Sequence, residues 1–489
     1  MKSNVCDSGS IFAILMKKTM NISTLLMMTW ISVSSCGNNA STATENPSQQ
    51  TTAAAEFING ITDQNSGTRK GPVELKGNLA MFKVGKVYLW ETQGKNTSKI
   101  DSTVINNNQF NFGVKDYELG VYMIGTNDNN MCPIIINPAE SVIELSFSNG
   151  KLETSLASAN SKENEGWGKY IVQEPVLLKA IKDARVAGAK NASMKAQYDQ
   201  QVVTKENELI KLQGDLIKAY PNTHLAKILT WKQEPNRTEI AKYWDNIDFN
   251  DESIIRSKVL TDRIESFMRS FSKGEESGFI NCIATVAEKA KVNDKVLEFS
   301  LNQMLTGFYE SNMENICAYI IDNYVNGDAC GDADLSNIIK STAESIQNLS
   351  LGKTPPNIQM TTMTGSKFDL YDTAGKNKYT LVMFWSSFCE HCKGEAPEVK
   401  MCYDKWKEKG FEIVGVSIDK SKTQWEAAVK DRGFTFQNVC GMKDYQSQVA
   451  KDYRVTKTPT FFLIDSNKQI VLKPKGIRDV QAFLAKNVK

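Results

Sequence analysis

One stretch decides the fold of the C-terminal part of the chain: Tyr379-Thr-Leu-Val-Met-Phe-Trp-Ser-Ser-Phe-Cys-Glu-His-Cys-Lys-Gly-Glu-Ala-Pro397. Its apolar run, Leu381 to Trp385, predicts a buried strand that the two serines end. Apolar and aromatic residues then recur at helical spacing, which predicts a helix that begins near Cys389. A thiol at a helix N-terminus has a lowered pKa, because the unpaired N–H groups and the helix dipole favour the thiolate. Cys392 follows one turn later, so the pair predicts a dithiol redox centre.

A second motif, Thr458-Pro-Thr-Phe-Phe-Leu-Ile-Asp465, follows further along the chain. With both motifs in this order, residues 350–489 resemble the TlpA/ResA-type thiol-disulfide oxidoreductases of the thioredoxin superfamily. The resemblance implies an α/β thioredoxin-like fold for this part. It also implies that Cys389 is the nucleophile, which attacks a substrate disulfide, and that Cys392 resolves the mixed disulfide.

The resemblance assigns roles to three more residues. Glu395 becomes the acid/base group for the proton of the resolving thiol, with a pKa raised by burial. Pro459 is implied to be cis and to pack against the dithiol, while the Thr458 backbone pairs with an extended substrate. Alternatives remain: a solvated glutamate on the helix surface, and a trans turn proline. Met383 stands where thioredoxin proper has a buried aspartate, which moves proton handling toward Glu395.

Four neighbours of the dithiol are further candidates. Glu390 and His391 carry opposite charges and are predicted to tune the pKa of Cys389 in opposite directions. Trp385 and Phe388 are predicted to line an apolar substrate groove, with core packing as the alternative for Trp385. A Cys-x-x-Cys pair can also be half of a zinc site, but no second pair has comparable spacing. No metal or cofactor is therefore predicted.

The N-terminus is predicted to be an export signal. Lys17 and Lys18 precede an apolar stretch too short to span a bilayer, and Val33-Ser-Ser-Cys36 resembles the lipobox of bacterial lipoproteins. Residues 1–36 are therefore a predicted signal peptide with lipidation at Cys36, of which 1–15 can be an over-extended start. Residues 37–56 have the composition of a disordered tether. An ordinary signal peptide with an incidental cysteine is the alternative.

The remaining chain is predicted to add two regions, so the protein is multidomain. Residues 57–150 carry short alternating segments between turns, which predicts a small all-β, sandwich-like domain. Its order resembles the N-terminal β domain of many Bacteroidota lipoproteins. Residues 157–349 carry apolar residues at helical spacing and are predicted to be α-helical. His224, without metal-ligand neighbours in sequence, is predicted to be a capping or surface residue.

Composition limits the partners. The 58 basic and 56 acidic residues nearly balance, and nothing indicates nucleic acid. Six further cysteines have no informative spacing, and their pairing is left open: Cys132, Cys282, Cys317, Cys330, Cys402 and Cys440.

Together these features predict a lipid-anchored, periplasm-facing protein of the cell envelope that reduces protein disulfides. Expected partners are disulfide-bearing envelope proteins, apocytochrome c among them, a membrane electron donor, and the membrane itself through the anchor. Two alternatives stay open. One is a peroxiredoxin-like peroxidase, although no proline precedes Cys389 in the strand and turn and Ser387 is the only hydroxyl at a suitable distance. The other is a binding lipoprotein in which the thioredoxin-like domain is an adaptor.

Overall fold

The computed structural model describes residues 70–327 and 337–488. The predicted signal peptide, Cys36, the tether and Cys330 lie outside the described residues. Contacts divide the described chain into two compact units, one ending at Ser300 and one beginning at Leu301. Among the described helices, none combines the length and the apolar character that crossing a bilayer needs.

The first unit begins with a β-rich region. Its eight strands are β1 (Lys70–Leu79), β2 (Val84–Gln93), β3 (Asn96–Asn106), β4 (Gln109–Glu118), β5 (Gly120–Asn127), β6 (Asn130–Ile136), β7 (Val142–Phe147) and β8 (Leu156–Ser158). They form one connected sheet in the order β6-β5-β2-β3-β4-β1-β7-β8. The β1–β7 pair is parallel. In the centre, β3 and β4 are paired only at Asn106 and Gln109, so two four-stranded halves meet at a hairpin. The predicted small β-sandwich is thus a single sheet that is nearly divided in two.

Helices complete this unit. They are α1 (Lys162–Lys190), α2 (Lys195–Ala219), α3 (His224–Lys232), α4 (Val259–Phe271), α5 (Glu276–Ala290) and the first part of α6 (Asp294–Glu310). The predicted helical character of the middle region is confirmed. The start of α3 is held by Glu163, whose buried carboxylate accepts the backbone N–H groups of His224 (2.8 Å) and Leu225 (2.7 Å).

The prediction for His224 was wrong. The side chain is only 3% exposed, and Thr223 is the residue that caps α3. Burial lowers the pKa of His224 to about 4, because the charged imidazolium would lose its hydration. Sequence periodicity did not reveal this burial, because a helix start is normally solvated.

The second unit contains the end of α6, then α7 (Glu314–Ile320), α8 (Asn337–Asn348) and an α/β domain. That domain comprises β9 (Gln359–Thr361), β10 (Lys367–Asp369), α9 (Leu370–Ala374), β11 (Tyr379–Trp385), α10 (Glu390–Trp406), β12 (Phe411–Ser417), α11 (Lys422–Asp431), β13 (Gln437–Cys440), α12 (Gln448–Asp452), β14 (Thr460–Asp465), β15 (Ile470–Leu472) and α13 (Ile477–Asn487). The five-stranded sheet has the order β13-β12-β11-β14-β15. Its centre, β11, is parallel to β12 and antiparallel to β14.

Burial explains why β11 occupies the centre. Thr380 to Trp385 are all buried, as expected for a strand covered on both faces. The hairpin of β9 and β10 turns at Gly365, whose φ of +86° is readily adopted only by glycine. Strand β11 and helix α10 lie close to their predicted positions. The thioredoxin-like fold predicted for this part is confirmed by the sequence relatives described below.

The end of α6 contacts the chain that leads to Thr458. Thr456 Oγ1 donates to the carboxylate of Glu310 at 3.1 Å, and Lys457 Nζ donates to the Glu310 carbonyl oxygen at 3.2 Å. Lys473 forms an ion pair with Glu314 at 3.0 Å. The helices after Leu301 therefore pack against the α/β domain.

Candidate active site

Two cysteines occupy the start of α10. Cys389 is the N-cap residue, and its Sγ accepts the backbone N–H of Cys392 at 3.0 Å. The two are joined in a disulfide with their Cα atoms 5.2 Å apart. Cys392 is 5% exposed, whereas Cys389 is half-buried. Cys389 is therefore the more accessible sulfur, as a nucleophile requires.

The second motif lies beside the disulfide. The Thr458–Pro459 peptide bond is cis, as the resemblance implies. The carbonyl oxygen of Thr458 lies 3.3 Å from Cys389 Sγ. The two sequence-distant motifs thus meet at the sulfur predicted to be the nucleophile.

The two residues predicted to line a substrate groove differ in exposure. Phe388 is 68% exposed directly before Cys389, where it is available to a partner. Trp385 is fully buried and packs edge-on against Phe434, so its proposed place in a groove is wrong. The physical reason is that β11 is covered on both faces, which leaves no solvated side for its last residue.

Glu395 projects from α10 toward the start of α13. Its carboxylate accepts the backbone N–H of Ile477, and a side-chain carbon at Gly476 would come within 3.0 Å of Oε1. Oε2 is buried and has no hydrogen-bond partner among the described residues. Burial raises the pKa of Glu395 above its usual value, and the N–H of Ile477 partly opposes the rise. The direction is the one expected for an acid/base group.

Glu390 and His391, the first two residues of α10, are both exposed. They are thus placed in solvent next to Cys389, and their predicted tuning role stays a prediction. Among the described residues, no cluster of three or more His, Cys, Asp or Glu side chains is arranged to hold a metal ion.

A buried carboxylate that sequence reasoning missed holds the turn before Cys389. Asp419, 2% exposed, follows β12. It accepts the hydroxyl groups of Ser386 (3.0 Å) and Ser387 (2.7 Å) and the backbone N–H of Ser387 (3.1 Å). The Ser417 hydroxyl also donates to it, at 2.6 Å. The turn is therefore fixed through its hydrogen-bond donors.

Arg432, also missed, holds the same turn through its acceptors. Its guanidinium donates to the carbonyl oxygens of Ser386 (3.1 Å) and Ser387 (2.9 Å). The guanidinium also lies over the Trp385 ring, 4.8 Å from the centroid. The Ser386 carbonyl oxygen accepts the Cys389 N–H as well, at 3.2 Å. Arg432 and Cys389 thus share one acceptor.

The other described cysteines are free thiols: Cys132, Cys282, Cys317, Cys402 and Cys440. All but Cys440 are buried, and Cys440 is half-buried. Burial raises the pKa of each of these thiols, for example to about 11 at Cys282 and about 12 at Cys402. The Cys389–Cys392 bond is the one disulfide among the described residues.

Comparison with known proteins places this site in a family. The model of the AhpC/TSA family matches residues 351–473. The thiol-disulfide oxidoreductase ResA of Bacillus thuringiensis subsp. konkukian is 32% identical over 130 residues, which cover 27% of this chain and 72% of that protein. The chain belongs to the ResA-like thiol-disulfide oxidoreductases. ResA of Bacillus subtilis is 33% identical over 125 residues, 26% of this chain and 67% of the relative.

Solved structures match the same part of this ResA-like chain. The thioredoxin domain of a thiol-disulfide oxidoreductase from Bacteroides vulgatus is 31% identical. The match covers 29% of this chain and 99% of that one, with a TM-score of 0.27. The family model matches only residues 351–473 and the ResA relative covers 27% of this chain, so the larger share of the chain lies outside the ResA-like relationship.

Proposed function

We propose that this ResA-like protein is lipid-anchored at Cys36, faces the periplasm and reduces disulfides of partner proteins through Cys389 and Cys392. The observation that carries the proposal is the dithiol at the start of α10, with Cys389 Sγ 3.3 Å from the Thr458 carbonyl oxygen. The anchor and the location rest on the sequence of residues 1–36 alone.

The first chemical step forms a mixed disulfide. The Cys389 thiolate attacks one sulfur of the substrate disulfide, the substrate S–S bond breaks, and the released substrate thiolate takes up a proton. The backbone beside Thr458 pairs with an extended substrate segment and so aligns its disulfide, and exposed Phe388 offers that segment an apolar contact.

The second step resolves the mixed disulfide. Cys392 passes its proton to the Glu395 carboxylate and attacks Cys389 Sγ, which releases the second substrate thiolate and leaves the Cys389–Cys392 disulfide. The second substrate thiolate takes up a proton, as the first does. Counted from the protonated dithiol, two electrons and two protons are thus lost by the Cys389–Cys392 pair and gained by the substrate disulfide. A membrane dithiol donor would return the pair to the reduced state. Apocytochrome c and other disulfide-bearing envelope proteins are the proposed substrates.

Trapping tests this function. In the reduced Cys392→Ser variant, Cys389 can attack but nothing resolves the product, so partner proteins should accumulate as mixed disulfides that a reductant releases. The matched Cys389→Ser variant should trap none and should not reduce a model disulfide. Disulfide reduction that survives Cys389→Ser would contradict the proposal. Partners retained in every redox state, and without Cys389, would favour the binding lipoprotein.

The match to the AhpC/TSA family model is the observation that favours a second candidate, a peroxidase. Against it, the Ser387 hydroxyl donates to Asp419 and is engaged in holding the turn. Rapid consumption of hydrogen peroxide that needs Cys389 but not Cys392 would support the peroxidase.

A further inference from the structure

A buried carboxylate, Asp419, and a half-buried guanidinium, Arg432, hold the turn that carries the nucleophile. Asp419 binds the donors of Ser386 and Ser387, and Arg432 binds their carbonyl oxygens. A buried carboxylate is costly unless it is hydrogen-bonded and has a compensating cation nearby. Here the compensating cation is Arg432. It interacts electrostatically with Asp419, and the turn lies between the two side chains.

The arrangement is more elaborate than a turn of two serines needs for folding. A turn at the end of a strand can satisfy its polar groups with water. Here a 2%-exposed aspartate and a guanidinium stacked on the buried Trp385 take that role instead. The Ser386 carbonyl oxygen joins Arg432 directly to the Cys389 amide. Both charges are therefore bound to the turn that leads directly into Cys389, the residue that must become a thiolate.

We propose that Asp419 and Arg432 are positioning residues of the dithiol, and that their opposed charges set the acidity of Cys389 as a balanced pair. The negative charge of Asp419 disfavours the thiolate and the positive charge of Arg432 favours it. While both are present their effects offset each other, so the helix N-terminus sets the pKa of Cys389. The proposal rests on the proposed redox function of Cys389. The other charged groups that neighbour Cys389 or Thr458 in the sequence are Glu390, His391, Lys393 and Glu395 on α10, and Lys457 before Thr458. They stay unchanged in the test.

The test replaces each charge separately in the full mature chain. Asp419→Asn should lower the pKa of Cys389, and Arg432→Met should raise it. We expect each shift to be roughly half a unit to one unit, the usual size for one charge near a half-buried site. The pKa is followed by the ultraviolet absorbance of the thiolate in a reduced Cys392→Ser background. The reduction potential of the two-cysteine chain should rise in Asp419→Asn and fall in Arg432→Met, because a more stable thiolate favours the reduced form.

Matched control residues lie on α10, further from Cys389. Asp404 pairs with Lys400 at 2.6 Å on the surface of α10. Asp404→Asn and Lys400→Met make the same charge changes there and should leave the pKa and the potential unchanged. A loss of packing alone would move both turn variants in the same direction, so shifts of the same sign, no shift, or equal shifts in the controls would overturn the proposal.

A conservative variant keeps the test decisive if Asp419→Asn does not fold. Arg432→Lys retains the charge but cannot bind both carbonyl oxygens in the same way. Arg432→Met should then raise the pKa of Cys389, whereas Arg432→Lys should leave this pKa close to its value in the unaltered protein. A rise in both would contradict the role of charge. None of these measurements uses a protein substrate, so their outcome is separate from that of the trapping experiment.

Discussion

At the scale of single residues, Glu395 has the environment most suited to moving a proton. One of its carboxylate oxygens is buried and has no hydrogen-bond partner in the described part of the chain, the backbone N–H of Ile477 donates to the carboxylate, and a side chain at Gly476 would crowd it. Burial raises its pKa, so the carboxylate can accept a proton at a higher pH than a solvated glutamate. This places proton exchange closer to the neutral range in which a thiol must ionise.

Replacing Glu395 by Gln should slow the resolving step. Without a carboxylate to take the proton of Cys392, we expect release of the mixed disulfide to slow roughly 10- to 100-fold. Formation of the mixed disulfide by Cys389 should change little. Rapid-quench measurement of the two steps separates these effects. An equal slowing of both steps would show that Glu395 acts on the site as a whole.

The same substitution has an expected effect on stability. The pKa of Glu395 is raised in the folded protein, so the folded state holds this proton more tightly than the unfolded state. Its contribution is fully present below the ordinary glutamate pKa and is lost as pH rises through the raised value. Glu395→Gln lacks this dependence, so the stability of the unaltered protein relative to the variant should fall as pH rises through that window. Urea unfolding at a series of pH values measures it.

At the scale of elements, Glu163 joins α1 to the start of α3. Its carboxylate is 2% exposed and accepts two backbone N–H groups of α3 and the amide of Asn137. Glu163→Ala leaves these buried donors unpaired, so we expect a loss of about 2–4 kcal/mol in the free energy of unfolding of the first unit. Glu165→Ala is the control. Glu165 is exposed and forms a surface ion pair with Lys169, so its loss should cost about 0.5 kcal/mol or less. Similar losses in both variants would count against this role of Glu163.

Local patterns predicted the elements around the dithiol, because a buried strand and the helix that follows are encoded within consecutive residues. The hydrogen bonds that hold the turn before Cys389 were not predictable in this way. Asp419 and Arg432 lie 33 and 46 residues from Ser386, and no local period links them. Trp385 was misplaced for a related reason: periodicity indicates burial but not whether a strand end is covered on both faces. The short strand β13 is hard to recognise from a local pattern, because polar Gln437 and Asn438 begin it.

At the scale of the whole molecule, the helices after Leu301 belong to the same compact unit as the thioredoxin-like domain. Lys473, with a side chain 8% exposed, is paired with Glu314 and lies 4.3 Å above the Tyr309 ring. The Arg454 guanidinium also lies over this ring, 5.6 Å from its centroid. The sequence predicted a domain boundary near residue 350. The contacts of Lys473 and Arg454 with Glu314 and Tyr309 cross that boundary.

Two fragments test whether these helices stabilise the redox domain. Residues 301–489 retain the contacts of Lys473 and Arg454, and residues 350–489 lose them. We expect the shorter fragment to melt roughly 5 °C or more below the longer one, because two cations lose their partners. Near-ultraviolet circular dichroism follows the transition. Lys473→Met in the longer fragment should reproduce part of the loss, whereas Arg478→Met, an exposed residue, should not. Equal melting temperatures of the two fragments would contradict this stabilisation.

The burial of the other described thiols has a practical consequence for work in living cells. An alkylating reagent reacts with thiolates, and Cys132, Cys282, Cys317, Cys402 and Cys440 are shielded and hard to ionise. Within the described chain, brief labelling of the native protein should therefore modify the reduced dithiol first. A mass-shifting maleimide, added to intact cells before lysis, would turn the electrophoretic mobility of this protein into a gauge of how strongly its surroundings supply electrons.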